Sequence, residues 1–261
     1  MLKRQNSTRY NHYARNLVDW IERLSSALWR NQRYTPPIQP VKVNLGSGLK
    51  IAPGWINVDG SLKMVLAKCP NFVTGLGYKF LTDSKSVSCE QFIDLVTNNI
   101  FVHHNLKYGV PLPDSSADFI YTSHTLHHLY RDEAAAVLAD ALRALKPGGT
   151  IRIAVPNLEH IFALYQRGER EHALRFFFYD SQPRNQLSRR QYQYDFELLR
   201  EMLAIAGYSG IRRCAFQQGR TPDLEQLDNR PDETLFVEAE KPSIRQINRA
   251  EVEEPLGVAA G

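Results

Sequence analysis

This sequence predicts an α/β fold, a mostly parallel, doubly wound sheet of seven strands with helices on both faces, and three observations carry that prediction. Between Val41 and Val155, five short apolar runs alternate with helical patterns or crossovers, the order that a parallel sheet requires. The first run, Val41 to Leu45, flows into Gly46-Ser47-Gly48, where a side chain would block the approach of a ligand. Two final runs, Gly210 to Phe216 and Thr234 to Glu240, follow a helical stretch. They are joined through Gly219, Pro222 and Pro231 without a helical pattern, so they can pair antiparallel at one edge.

At 261 residues the chain fits one domain with appendages, and 43% hydrophobic with 23% charged residues is ordinary for a soluble globular protein. The net charge of +4 is unevenly placed, because residues 1–33 carry seven Lys or Arg against Asp19 and Glu22. Such a head suits contact with phospholipid or nucleic acid, although a solvated basic helix face is the commoner explanation. Cys69, Cys89 and Cys214 are widely spaced and form no CxxC. That spacing points away from a disulfide framework or a zinc site and toward a reducing, cytoplasmic setting. No apolar run approaches the roughly 18 to 20 residues needed to cross a bilayer. The opening MLKRQNSTRYNHYARN is polar and lacks a signal-peptide core.

Taken in order, Leu17, Trp20, Ile21, Leu24 and Leu28 recur at helical spacing between Tyr13 and Trp29, with Arg15, Arg23 and Arg30 on or beside the other face. This amphipathic helix packs on the domain's flank or docks on a membrane surface or partner. Pro36-Pro37 and Pro40 end a basic extension over residues 1–40, and the first strand begins at Val41. Beyond the glycine loop, Trp55, Ile56 and Val58 make a second strand closed by Asp59. Backbone N–H groups in such a loop can hold the polar tail of a nucleoside-bearing ligand, and the carboxylate can accept both ribose hydroxyls. Only about seven residues separate Gly48 from Ile56, too few for the long helix that follows a dinucleotide loop.

Residues 60–100 are longer than an ordinary crossover, and SLKMVLAKCPNF and EQFIDLVTNNI look helical, so an insertion near the ligand is expected. Phe101-Val102 gives the third strand, with His103-His104-Asn105-Leu106 at its end. Adjacent histidines on a strand face opposite sides, which discounts a shared metal there. Asp118 to Thr122 reads as the fourth strand, and Ser123 to Leu129 is expected to open a helix with His124 and His128 on one face. No Glu or Asp completes that pair in the manner of HExxH, so no metal is assigned. Asp132 to Leu145 is the clearest helix: acids at its positive end and a stripe of Ala134, Leu138, Ala141, Leu142 and Leu145. Lys146-Pro147-Gly148-Gly149 stops it, and a fifth strand, Thr150 to Val155, ends at Pro156-Asn157.

The aromatic and basic stretch 157–194 is expected to cap the ligand edge as an acceptor-binding insertion, or to pack as a helical pair on the insertion at 60–100. Asp195 to Ala206 is a further helix ended by Gly207. A domain over residues 41–241 and a disordered tail over 242–261 complete the organisation.

VNLGSG, WINVD, LPDSSADFIYTSHTLHHL and LKPGGTIRIAVPN, in this order and spacing, resemble the class I S-adenosylmethionine-dependent methyltransferases, and most closely the type 11 group. The resemblance runs from Val41 to Glu240, densest over Val41–Asp59 and Pro111–Asn157. It implies a Rossmann-like seven-stranded methyltransferase sheet and S-adenosylmethionine as cofactor. Carried over by position, Asn44, Gly46, Ser47 and Gly48 would lie along the methionine part and Asp59 would take the ribose hydroxyls. Asn105 and Leu106 would lie by the adenine, and Ser123 and His124 would border the reacting methyl. The family often has an aspartate where this chain has Asn105, whose amide oxygen can still accept a hydrogen bond. The family's LEH after the fourth strand is here Leu126-His127-His128, so His127 stands in place of a carboxylate.

Methyl transfer needs an acceptor held in line behind the methyl, water excluded and, for a hydroxyl, a proton removed. His124, His127 and His128 are the base candidates, an imidazole having a suitable pKa. Asn157, Tyr192 and Tyr194 are the substrate-side candidates. The reading is therefore methyl transfer to oxygen or nitrogen of a small-molecule or glycan/lipid-linked acceptor. A catalytically idle methyltransferase-like binding module is the alternative, and an NAD(P)-dependent oxidoreductase fits the closing strand pair less well. The N-P-P-aromatic signature of amino-group nucleic-acid enzymes is absent.

Overall fold

Alternating apolar residues turn the sequence runs into strands, and the computed structural model describes residues 20, 24–25, 27–61, 63–66, 74–75, 78, 88–178 and 189–243. The strands are β1 (Lys42–Leu45), β2 (Ile56–Asp59), β3 (Ile100–His103), β4 (Ala117–Ser123), β5 (Leu145–Pro156), β6 (Ser209–Cys214) and β7 (Thr234–Glu240). They form one sheet in the order β3-β2-β1-β4-β5-β7-β6. The first five pair in parallel, while β7 runs antiparallel to both β5 and β6. The predicted closing pair is thus present, with β7 inserted between β5 and the edge strand β6. One sheet edge gathers the C-terminal ends of β1 to β5 and, because β7 is reversed, its first residue Thr234.

Helices cover both faces, here numbered α1 (Lys63–Leu66), α2 (Cys89–Asn98), α3 (Arg131–Ala144), α4 (Leu158–Gln166), α5 (Arg170–Leu174), α6 (Phe196–Ala206) and α7 (Leu224–Leu227). On one face, Ala134, Val137, Leu138 and Ala141 of α3 and Leu199, Met202 and Leu203 of α6 pack on Val43, Leu45, Ile120, Ile153 and Val237. The predicted stripe of α3 is therefore shifted: Val137 and Ala144 are buried, Leu142 is only partly so, and Leu145 already belongs to β5. The register of β4 against β5 shifts between Ala117 and Phe119, so Lys146 to Gly149 bulge out rather than precede the strand. Asp195 caps α6 by accepting the Leu198 N–H at 2.8 Å, and Gly207, at φ 98°, closes it.

The other face is organised differently. Residues in register across it are Phe101, Asn57, Asn44, Tyr121, Arg152, Glu238 and Arg212, a row that is polar or hydrogen-bonding on six of seven strands. No helix connects β1 to β2. The space is filled by the β6–β7 connection, whose α7 packs Leu224 and Leu227 on Ala52, Trp55 and Tyr121. Asp223, just before α7, accepts from Trp55 Nε1 at 2.8 Å and from Lys42 Nζ at 2.6 Å. Farther along, α2 buries Phe92 and Val96 with Met64, Tyr78 and Phe101.

Most of the amphipathic head helix and of the tail lies outside the described residues. What is described of the head packs on the domain: Trp29 meets His103 edge-on at 5.0 Å, and Arg33 donates to the Leu112 carbonyl at 2.7 Å. In the insertion at 157–194, of which 179–188 lie outside the described residues, α4 packs against α5 around Ile161, Leu164, Ala173 and Phe176. Its two ends meet in a bridge between Asn157 and Tyr194.

Candidate active site

The glycine loop leaves β1 at Gly46, where φ is 68°, and turns back over the end of β2. The N–H groups of Gly46 and Ser47 both donate to the Val58 carbonyl, at 2.7 and 3.3 Å. A side chain at Gly46 would collide with Thr125, so part of the glycine requirement is internal to the protein. At Gly48, φ 51°, a side chain would meet nothing and would project into open space, as expected of a surface that receives a ligand. Asp59 stands at the tip of β2 and holds the loop: its Oδ2 accepts the Gly48 N–H at 2.9 Å and its Oδ1 the Ser61 N–H at 2.8 Å. Each carboxylate oxygen keeps a further lone pair for a hydroxyl.

Asn44, Gly46, Ser47, Ser123 and His124 come together on one cavity of about 240 Å³, with Lys50, Tyr121, Asn229 and Arg230. Asn44 is buried and braces the loop, donating to the Lys50 carbonyl at 2.9 Å and to Asn57 Oδ1 at 3.3 Å. Asn105 lies behind Gly60 at the end of β3 and accepts the Lys107 N–H at 3.1 Å. Leu106 is largely absorbed into the main core.

The segment after β4 is not the start of a helix. His124 has φ 49°, a single 3-10 turn covers Leu126–His128, and α3 begins only at Arg131. His124 and His128 therefore do not share a helical face. Instead His127 and His128 stack with ring centres 3.9 Å apart, and His124 meets His127 edge-on at 5.9 Å. The cause is the chain direction: the His124 N–H donates to the Ala154 carbonyl at 2.8 Å, and its Nε2 lies 3.2 Å from Thr234 Oγ1. Its Nδ1 is buried without a partner, as is that of His127. Burial, then Arg230, His128 and Arg190, lower the His124 pKa to about 3. Burial and its histidine neighbours hold His127 well below the ordinary imidazole value. Burial also lowers His128, opposed by the hydrogen bond from its Nδ1 to the Arg189 carbonyl at 3.1 Å. At neutral pH all three are neutral imidazoles.

The substrate-side candidates separate. Tyr192 sits beside the histidine turn, its N–H reaching the His127 carbonyl at 3.3 Å. Tyr194 is fully buried in the main core, its hydroxyl has no partner, and burial drives its pKa up. Asn157 caps α4, accepting the Glu159 N–H at 3.1 Å. Lys50, Thr125, Asn229, Arg230 and Thr234 escaped the sequence reading. For Asn229 and Arg230 the reason is that the β6–β7 connection shows no periodicity, and its only signals were Gly219, Pro222 and Pro231. Among the described residues no group of three His, Cys, Asp or Glu could hold a metal ion.

An open glycine at the end of β1, an acid at the tip of β2 and a sheet closed by a reversed strand make the arrangement that the resemblance to class I S-adenosylmethionine-dependent methyltransferases, whose cofactor is S-adenosylmethionine, leads one to expect. Residues 76–153 match the family model described as Methyltransferase domain. No curated protein matches the chain. Among solved structures it is similar to a methyltransferase from Thermotoga maritima, at 14% identity and TM-score 0.44, over 90% of this chain and 95% of that one. It is also similar to one from Archaeoglobus fulgidus, at 15% identity and TM-score 0.44, over 87% and 94%.

Proposed function

We propose that the chain transfers the methyl group to oxygen or nitrogen of a small-molecule or glycan/lipid-linked acceptor, with the transfer domain spanning residues 41–241. In this reading Gly46, Ser47 and Gly48 receive the methionine part of the cofactor, Asp59 the ribose, and Asn105 with Leu106 the adenine. When bound, S-adenosylmethionine supplies a methyl already activated on a sulfonium. The protein's tasks are alignment, exclusion of water and acceptance of a proton or hydrogen bond at the nucleophile.

His124 supports the choice of acceptor atom. It is the imidazole that lines the cavity, and its Nδ1 is unsatisfied. Its low pKa keeps it neutral, so the ring carries one lone pair, and an acceptor that reaches it on the cavity wall could donate an O–H or N–H there and turn its own lone pair toward the methyl. The nearby Arg190 and Arg230 favour the deprotonated state of a bound hydroxyl or amine. Residues 1–40 would carry peripheral contacts to a membrane or protein in the cytoplasm.

Calorimetry with S-adenosylmethionine tests the reading. Asp59→Ala should weaken binding at least about tenfold, whereas His124→Ala should retain binding and lower methyl incorporation from labelled cofactor into cell-extract acceptors. Failure of the intact protein to bind the cofactor would sink it.

A further inference from the structure

A glycine loop after the first strand usually leads into a helix, whose N-terminal N–H groups and dipole receive the anionic end of the ligand. This chain has no such helix, since Gly46 to Trp55 run from β1 to β2 in turns. Its loop N–H groups are also committed: those of Gly46 and Ser47 to the Val58 carbonyl, that of Gly48 to Asp59. With those three N–H groups committed, side chains are the available source of positive charge for the anion-binding function of the missing helix.

The cavity beside the loop has two cationic residues in its lining, Lys50 and Arg230, and no carboxylate. Among the described residues neither cation forms an ion pair with an acid. Arg230 comes from the β6–β7 connection that fills the place of the missing helix, and its position is enforced. Asp228 is locked to Arg152, and Asn229 donates to Ser123 Oγ at 3.4 Å while its carbonyl faces Thr234 Oγ1 at 3.5 Å. Arg230 itself is held at φ 52°.

We propose that Lys50 and Arg230 form the clamp for the carboxylate of the cofactor's methionine end, replacing the helix terminus with two side chains from distant parts of the sequence. This rests on the reading of the cavity as the methionine site. Arg230 is a positioning residue: a fixed carboxylate fixes the sulfonium, and with it the line along which the methyl is delivered past Ser123 and His124.

The test is calorimetry of the full chain with S-adenosylmethionine and with decarboxylated S-adenosylmethionine, which lacks only the carboxylate. Arg230→Gln should weaken the first by about 10- to 100-fold and leave the second within about threefold. Lys50→Gln should do the same more weakly, and Arg230→Lys should recover part of the loss. Equal weakening of both ligands by Arg230→Gln would overturn the clamp, as would unchanged binding of the first. A wild-type protein that binds neither ligand would instead remove the functional reading itself, a separate result.

Discussion

Arg152 and Asp228 form a two-bond ion pair, Nε to Oδ1 at 3.0 Å and Nη2 to Oδ2 at 2.5 Å, with both side chains wholly out of solvent. The same carboxylate accepts the Gln217 N–H at 2.8 Å and lies 3.3 Å from the Tyr121 hydroxyl, and Arg152 also reaches the Gln218 carbonyl at 2.9 Å. A buried pair stabilises only when its remaining donors and acceptors are met, and here they are met largely by backbone of the β6–β7 connection. The pair thus fastens to the sheet the segment that carries Asn229 and Arg230.

Asp228→Ala leaves the buried Arg152 guanidinium only the Glu238 carboxylate, 3.5 Å from its Nη1, so urea unfolding should show a loss of about 3 kcal/mol. Replacing both partners with apolar residues, Arg152→Met with Asp228→Leu, should cost less than the sum of the single changes. Additive costs would show that the two side chains do not act as a pair.

Gly46 and Gly48 both have positive φ, 68° and 51°, but different surroundings, which separates strain from collision. Gly48→Ala should cost about 1 to 2 kcal/mol, the strain of a left-handed non-glycine residue. Gly46→Ala carries the same strain plus an overlap with Thr125, so it should cost clearly more. Adding Thr125→Gly should recover part of that loss, giving a favourable coupling in a double-mutant cycle. Equal costs at the two glycines would mean that Thr125 yields freely.

The histidine turn makes stability depend on pH in a defined direction. His124, His127 and His128 all have pKa values below the ordinary imidazole value of about 6.5 in the fold. Below that pH the unfolded chain binds protons that the folded chain refuses. The contribution is complete above the unfolded value and is lost as pH falls, through the window from about 6.5 toward the folded value of about 3 for His124. Each histidine adds at most about 1.4 kcal/mol per pH unit to the slope. Unfolding free energies measured from pH 7 to pH 5 should fall accordingly, and His127→Asn should flatten the slope. An unchanged slope in that variant would place the proton uptake elsewhere.

The strands themselves, the glycine loop, Asp59 and the helix α3 were legible because each is a local pattern: alternation, two glycines around a serine, an acid after a strand, a helical stripe. The histidine turn was misread as a helix because Ser123 to Leu129 contains no glycine or proline. What bends it is contact with Ala154 and Thr234, which are distant in sequence. The polar row through Asn44, Tyr121, Arg152 and Glu238 was invisible for a related reason. A buried Arg on a strand looks like an outward-facing one until Asp228, 76 residues later, is folded against it.

Tyr194 tests the distinction between residues that resemble site residues and residues that serve the site. Its neighbour Tyr192 is only partly buried, with ring centres 5.2 Å apart, yet the Tyr194 side chain belongs to the main core and its hydroxyl finds no partner there. Among the described residues nothing accepts its proton in a hydrogen bond, and burial makes the phenolate less accessible still. Removing an unsatisfied buried hydroxyl removes a desolvation cost and leaves the ring packing intact. Tyr194→Phe should therefore be as stable as the wild type or up to about 1 kcal/mol more stable in urea, with kcat/KM for methyl transfer within about twofold. A loss of more than about tenfold, equivalent to 1.4 kcal/mol of transition-state stabilisation, would assign the hydroxyl a part in the reaction that its surroundings give no reason to expect.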